Sequence, residues 1–218
     1  MLRHLLGLCA MLMLLAIAPT VKADPVVITS GSLTVIGIFG SPTYSFSGQN
    51  FSVTAVSTEP GNSPNCLPCA SSGLTSLSSF FVGTSLGDGT ATINGTTFNN
   101  VEFLGEFSFG VTPVMLPVGT TNLTITAPFS FSGNIRGCND NVVCTTEVFS
   151  TVELVGQGIA TAQFDFVETL GNGVSLYQFR SITYTFQDAA VPEPMTISLL
   201  LTGLIGLSAK VRYRRRSS

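Results

Sequence analysis

The 218-residue chain predicts an all-β body, an antiparallel β-sandwich or jelly roll, followed by one C-terminal hydrophobic helix. Three observations predict it. Apolar and polar residues alternate with period two in several short runs, as strands with one buried face require. Turn signals centred on Gly and Asn separate those runs. Between Asp24 and Ala190 no helical periodicity interrupts a background rich in Gly, Ser, Thr, Phe and Val. Short strands at this spacing indicate roughly eight to eleven of them in two packed layers.

The N-terminal element is a leader. Arg3 supplies positive charge, residues 5–18 form an apolar run, and Val21-Lys22-Ala23 places small side chains at the outer positions of a cleavage site. This is the pattern of a secretory signal peptide cut between Ala23 and Asp24. The run is shorter than the roughly 20 residues of a stable membrane span, which disfavours a retained anchor. The expected organisation is therefore a signal peptide over 1–23, one β-sandwich body over 24–190 and a separate tail over 191–218.

Within the body, Val101, Phe103, Gly105, Phe107 and Phe109 share one face of a continuous strand, and Glu102, Leu104, Glu106 and Ser108 share the other. Leu123-Thr124-Ile125-Thr126 is rich in β-branched residues, which favour strands. Ala162, Phe164 and Phe166 alternate with Gln163, Asp165 and Val167, and 181–186 is again β-branched and aromatic. A final hairpin is expected to join 157–168 to 174–187 around Asn172-Gly173. Gly87-Asp88-Gly89 and Asn94-Gly95 supply the positive-φ residues of other tight turns. The run F-S-F-S-G at 129–133 echoes S-F-S-G at 45–48, too little for a repeat architecture. With no Trp in the chain, its 16 Phe are expected to fill the core.

Four cysteines remain once Cys9 leaves with the leader: Cys66, Cys69, Cys138 and Cys144. An even count in an exported chain favours disulfides. Two local bridges, Cys66–Cys69 and Cys138–Cys144, are the preferred connectivity, with cross-links between the pairs as the alternative. C-L-P-C lacks the βαβ context of a redox motif, and an oxidising compartment favours disulfides over a four-cysteine zinc site. Asn139-Asp140-Asn141 and Asp88 offer oxygen ligands, but no calcium-loop pattern surrounds them and turn chemistry explains both. No metal or cofactor is expected.

Charge and missing residue types narrow the function. The formal net charge of −3 hides an asymmetry: seven of the nine Lys and Arg lie in the leader and the tail. The body retains only Arg136 and Arg180 against eleven acids, and such a surface repels nucleic acid. The single histidine, His4, is in the leader and the body has no Lys. His general bases, Ser-His-Asp and Cys-His arrangements and Schiff-base lysines are excluded from the body. Glu102 and Glu106 lie about 13 Å apart along a strand, wider than the roughly 5–9.5 Å that glycosidase carboxyl pairs use. A solvated strand face is the expected reading. Glu147, Glu153, Asp165 and Glu168 stay open as residues that neighbouring strands bring together.

The tail carries the most specific signal. Val191-Pro192-Glu193-Pro194 precedes an apolar run over 195–209, and Lys210, Arg212, Arg214, Arg215 and Arg216 follow it. The prolines hold an extended, membrane-proximal acidic segment suited to a protease groove. The run is short for a span, a gap that local thinning and snorkelling of Lys210 and Arg212 close. The basic cluster places that side in the cytoplasm. In order and spacing this tail resembles the PEP-CTERM sorting signal, borne by substrates of exosortase, a membrane-embedded transpeptidase-like enzyme of Gram-negative bacteria. The resemblance covers only 191–218 and implies a substrate, not a processing enzyme. It implies transient inner-membrane anchoring, cleavage near the motif and delivery to the cell surface or an exopolysaccharide matrix. The expected partners are signal peptidase, the general secretion machinery and exosortase, together with extracellular polysaccharide.

For the body itself the leading expectation is a non-enzymatic structural or interaction role. A glycan-binding module is the alternative, weakened by the absence of Trp and by having only Tyr44, Tyr177 and Tyr184 as body tyrosines. A carboxylate-dependent glycan-active enzyme is the third reading.

Overall fold

A computed structural model describes residues 24–37, 40–57, 66–82, 89–139 and 144–188. The leader, the cleavage position Ala23, the sorting motif, the C-terminal helix and the basic cluster lie outside the described residues, as do Asp88, Asp140 and Asn141. The described residues form thirteen strands: β1 (Val26–Ile36), β2 (Thr43–Gly48), β3 (Phe51–Val56), β4 (Cys69–Ala70), β5 (Leu74–Thr75), β6 (Ser79–Val82), β7 (Gly89–Ile93), β8 (Thr96–Leu104), β9 (Glu106–Val111), β10 (Val114–Met115), β11 (Leu123–Cys138), β12 (Glu147–Thr169) and β13 (Ser175–Phe186). Eleven of them belong to one sheet, and β5 pairs with β10 in a separate ribbon. The all-β expectation holds for these residues.

The expected purely antiparallel arrangement does not hold. β1 runs parallel to β12, with Val26, Val27 and Ile28 beside Leu154, Val155 and Gly156. That seam closes a hydrogen-bonded circuit, β1–β2–β3–β7–β8–β11–β12 and back to β1. The sheet is therefore mixed and curls on itself, with its inner faces packed as two layers. After Ile28, β1 leaves β12 and pairs antiparallel with β13, from Ser32 opposite Thr185 to Ile36 opposite Ser181. The end of β13 fills the wedge between the two diverging strands, because it pairs with β12 as well.

Gly31 makes this change of partner possible. A register irregularity falls between Ile28 and Ser30, and Gly31 follows it at φ 106°, a conformation that side chains oppose. A Cβ there would lie 2.1 Å from the Ser45 carbonyl oxygen and 2.5 Å from the Phe46 Cα. The neighbouring strand is thus pressed against the bulge, and bulges of this kind bend and re-aim a strand.

The strand anticipated from 101 to 109 is β8 continued by β9. Both pair with β11 in one unbroken register, Cys138 opposite Glu102 at one end and Phe129 opposite Val111 at the other. Val101, Phe103, Gly105, Phe107 and Phe109 are buried, as the alternation predicts. The final hairpin is also present. Thr169 pairs with Ser175, Gly173 has φ 82°, and the Leu170 N–H donates to the Val174 carbonyl at 2.8 Å.

Phenylalanine fills the space between the layers. The Phe46 ring on β2 lies 6.1 Å from Phe131 on β11 and 5.4 Å from Phe186 on β13. Phe109 stacks on Tyr184 at 4.1 Å, and Phe131 meets Phe186 edge-on at 5.1 Å. The two S-F-S-G echoes are thus facing strands whose phenylalanines touch across the core. Burying each such ring contributes about 1.5–3 kcal/mol. Tyr44 stacks on Phe46 at 5.1 Å, but its buried hydroxyl has no hydrogen-bond partner. Burial holds the phenol well above its ordinary pKa, because the phenolate would lose its hydration.

Two outcomes follow for stability. Gly31→Ala is expected to cost about 2 kcal/mol or more through backbone strain and the Ser45 contact, read as a lower urea midpoint at unchanged m-value. Tyr44 binds its proton more tightly folded than unfolded, so its contribution is complete below pH about 10 and is lost as pH rises beyond it. Tyr44→Phe is expected to raise neutral stability by about 1 kcal/mol and to flatten the alkaline decline, measured by urea titrations at neutral and alkaline pH.

Candidate functional site

The closed circuit has two ends, and each carries a disulfide staple. At one pole Cys66 and Cys69 are bonded, and Cys69 pairs with Tyr177 as part of β4. Around them the Ser71 Oγ accepts the Ser175 N–H at 3.0 Å, the Ser175 Oγ donates to the Gly119 carbonyl at 2.7 Å, and the Tyr177 hydroxyl donates to the Pro117 carbonyl at 2.9 Å. Nearby, the Tyr184 hydroxyl donates to the Leu77 carbonyl at 2.9 Å and shares a short hydrogen bond with the Ser79 hydroxyl. At the other pole Cys138 and Cys144 are bonded, closing the connection from β11 to β12. Both pairs are the local bridges preferred from the sequence.

The second pole is a mouth. It is bounded by the start of β1 (Asp24, Val26), the β2–β3 turn (Gln49, Asn50), the β7–β8 turn (Ile93, Asn94) and the start of β12 (Phe149 to Glu153), around a cavity of about 470 Å³. The turns are built by residues that tolerate left-handed backbone: Asn50 has φ 58°, Asn94 φ 49° and Gly95 φ 81°. Asn94-Gly95 forms the two-residue hairpin expected of that dipeptide, with Ile93 opposite Thr96. The Asn94 N–H donates to the Asn50 carbonyl at 2.8 Å, so the two turns brace each other. Phe149 floors the mouth. It packs over Gly137, where a Cβ would lie 2.1 Å from the ring, and beside Phe98 at 5.5 Å.

A second depression, of about 390 Å³, lies on the outer face of β6, β9, β11 and β12. Phe80, Ser108, Ser132 and Val155 form one row across these strands. Glu106 and Glu153 flank Asn134 in the neighbouring row, Asn134 pairing directly with Glu153. Two strand spacings put the Glu106 and Glu153 backbones about 10 Å apart. Thr151 and Glu153 line both depressions, so the two lie side by side at the start of β12. No Lys, Arg or His lines either part. Together they present carboxylates, amides and hydroxyls beside apolar walls, a set able to hydrogen-bond a polar ligand, and mouths of β-barrels are favoured places for ligands.

No family model matches the chain, and no curated protein or solved structure matches it. The site is therefore read from its own geometry.

Several expected residues change place. Glu102 is not on a solvated face. It is only 7% exposed, because it lies opposite Cys138, where the β11–β12 staple begins. Glu147, Glu153, Asp165 and Glu168 do not converge; all four are strung along β12. Asp165 instead stands 3.9 Å from Arg180 on an exposed surface, a pair of little energetic weight. The carboxylates that share a groove are Glu106 and Glu153, brought together by the β9–β11–β12 register. Tyr44, Tyr177 and Tyr184 are all buried and offer no stacking surface. The exposed ring of the groove is Phe80, at 51%, a residue the sequence reading passed over although its β-rich run S-S-F-F-V is visible.

Replacing Cys138 and Cys144 together by Ser is expected to lower stability by about 2 kcal/mol, the value for a short closed loop. A urea melt of the double variant checks this; an unshifted midpoint would show that the short covalent loop adds nothing to stability.

Proposed function

We propose that this is an exported, non-catalytic surface or matrix protein processed by an exosortase. One observation carries the reading: Pro192-Glu193-Pro194, the apolar run after it and the Arg212, Arg214, Arg215 and Arg216 cluster occur in the order of a PEP-CTERM sorting signal, in a chain that also bears a leader ending at Ala23. On this reading signal peptidase cuts before Asp24 and the general secretion machinery delivers the body outward. The tail halts in the inner membrane with its C-terminus cytoplasmic, and exosortase cuts near Val191-Pro192-Glu193-Pro194. The body then reaches the cell surface or the extracellular polysaccharide. Two disulfides support an oxidising destination, and the absence of His and Lys from the body supports a role without acid–base or nucleophilic chemistry of those types.

A second reading, a glycan-binding module, is favoured by the two polar depressions that lie side by side at Thr151 and Glu153. It specifies what the displayed body does and is compatible with the first.

Intact-mass measurement of the native protein, from cells with and without the exosortase, tests the processing. The expected product starts at Asp24 and lacks residues 195–218 only when the enzyme is present. An identical C-terminus in both strains, still carrying Arg216, would replace the proposal with a simple tethered protein.

A further inference from the structure

We propose that the body pairs with a second copy of itself through a charge-free apolar cap at the Cys66–Cys69 pole. The pairing is independent of the processing and glycan readings and adds an interaction surface with its partner.

The cap is built from the β5–β10 ribbon and the loops beside it. Met115 on β10 lies directly opposite Leu74 on β5, so the two side chains share one face of the ribbon. That face points to solvent. The other face carries the buried Thr75, and the two strands lead on into Leu77 and Leu116 of the core. Leu67 follows Cys66, whose Sγ lies 3.8 Å from the Thr75 hydroxyl. Val118 sits between the Pro117 and Gly119 carbonyls, both of which accept from the Tyr177 hydroxyl. Leu67, Leu74, Met115 and Val118 are each 60–70% exposed. Four such side chains leave on the order of 400 Å² of apolar surface, a patch size that marks interaction sites on monomers.

Charge decides what covers it. The described segments that build this pole, 66–79, 112–122 and 170–175, contain no Asp, Glu, Lys or Arg. Elsewhere the body carries eleven acids against Arg136 and Arg180, so two copies repel each other over most of their surface. Across a two-fold axis a patch meets its own image, and only a patch without charge does so at no like-charge cost. Apolar side chains that include Met, ringed by the exposed hydroxyls of Ser72, Thr112, Thr120 and Thr121, match the centre and rim of a protein interface. A lipid surface is disfavoured, because elements that dock there present Lys or Arg with aromatic rings, and the cap has neither. The apolar surface is about half of the roughly 800 Å² per partner that a standard interface buries, so the expected dimer is weak and reversible. β13 starts at this pole and ends at the other, where β1 begins beside the mouth. Pairing through the cap therefore obstructs neither the mouth nor the ends of the body.

Sedimentation equilibrium of the exported protein over about 1–300 μM tests the proposal. The weight-average mass is expected to rise from monomer towards dimer, with a Kd of roughly 10–100 μM. Added salt is expected to strengthen the pairing, because it screens the acids of the two bodies; weakening by salt would mark an electrostatic contact on another surface and overturn the proposal. Leu74→Glu is expected to weaken pairing at least about tenfold by setting carboxylates in the contact. Val27→Glu, on the outer face of the β1–β12 seam, is expected to leave it unchanged. Both positions are exposed, and an unchanged urea midpoint confirms that each variant folds; should the Leu74→Glu midpoint move, Met115→Gln, which adds no charge, takes its place with a smaller expected loss. A monomer at every concentration, growth beyond the dimer, or association that the cap variants leave intact overturns the proposal. A monomer that floats with phosphatidylcholine vesicles also overturns it, and makes lipid the occupant of the cap.

Discussion

Three residue pairs between β1 and β12, and five between β1 and β13 beside them, hold the circuit shut. Every other link in it is an antiparallel pairing, and two of them, β2–β3 and β7–β8, are set by two-residue turns. The parallel seam has no turn to set its register, and its partners lie more than a hundred residues apart in sequence. Its register is fixed instead by burial: Ile28 and Leu154 are each about 1% exposed, and a one-residue slip of β1 would turn Ile28 outward. Gly156 keeps the seam close. A Cβ there would meet the Phe186 ring at 2.8 Å and the Ile28 Cβ at 3.2 Å. Gly31 then releases β1 towards β13. β13, paired with both β1 and β12, closes the sheet a second time beside this seam.

The outer face shows how a body with so few charges stays ordered in water. Thr126, Thr161, Thr183, Thr34 and Thr43 stand side by side across five strands. Hydroxyls pair between strands, Thr34 with Thr183 at 3.0 Å, Ser45 with Thr54 at 3.1 Å and Ser30 with Ser47 at 2.7 Å. Such cross-strand pairs contribute roughly 0.2–1 kcal/mol each. Short β-branched side chains also lose little rotamer freedom on a strand. The abundance of Ser and Thr is thus a physical alternative to a charged surface, and it leaves the carboxylates of the groove as a local feature.

What the sequence made legible was local. The alternation from Val101 to Phe109, the Asn94-Gly95 and Asn172-Gly173 turns and the two short cysteine loops each lie within a few residues, and each is present. What it hid was set by register between distant strands. Glu102 and Glu106 look equivalent on one strand face, yet only Glu102 meets Cys138 and is buried. Glu153 looks like one of four scattered acids until the β11–β12 pairing sets it beside Asn134, with Glu106 on the other side. The parallel seam leaves no trace in periodicity, because β1 alternates the same way whichever neighbour it has. The mouth is assembled from two strand starts and two turns, none of which is distinctive alone.

The chain ends give the groove an orientation. β1 begins at the rim of the mouth, and β13 runs antiparallel to it, ending where the Gln187 N–H donates to the Gln157 carbonyl at 3.0 Å, one residue beyond the seam. The leader junction and the departure towards the tail therefore face the same pole. On the proposed reading, a body still held by its tail directs the mouth at the membrane it has just crossed. The Cys138–Cys144 bridge ties the end of β11 to the segment leading into β12, so the join between the two longest strands is covalent.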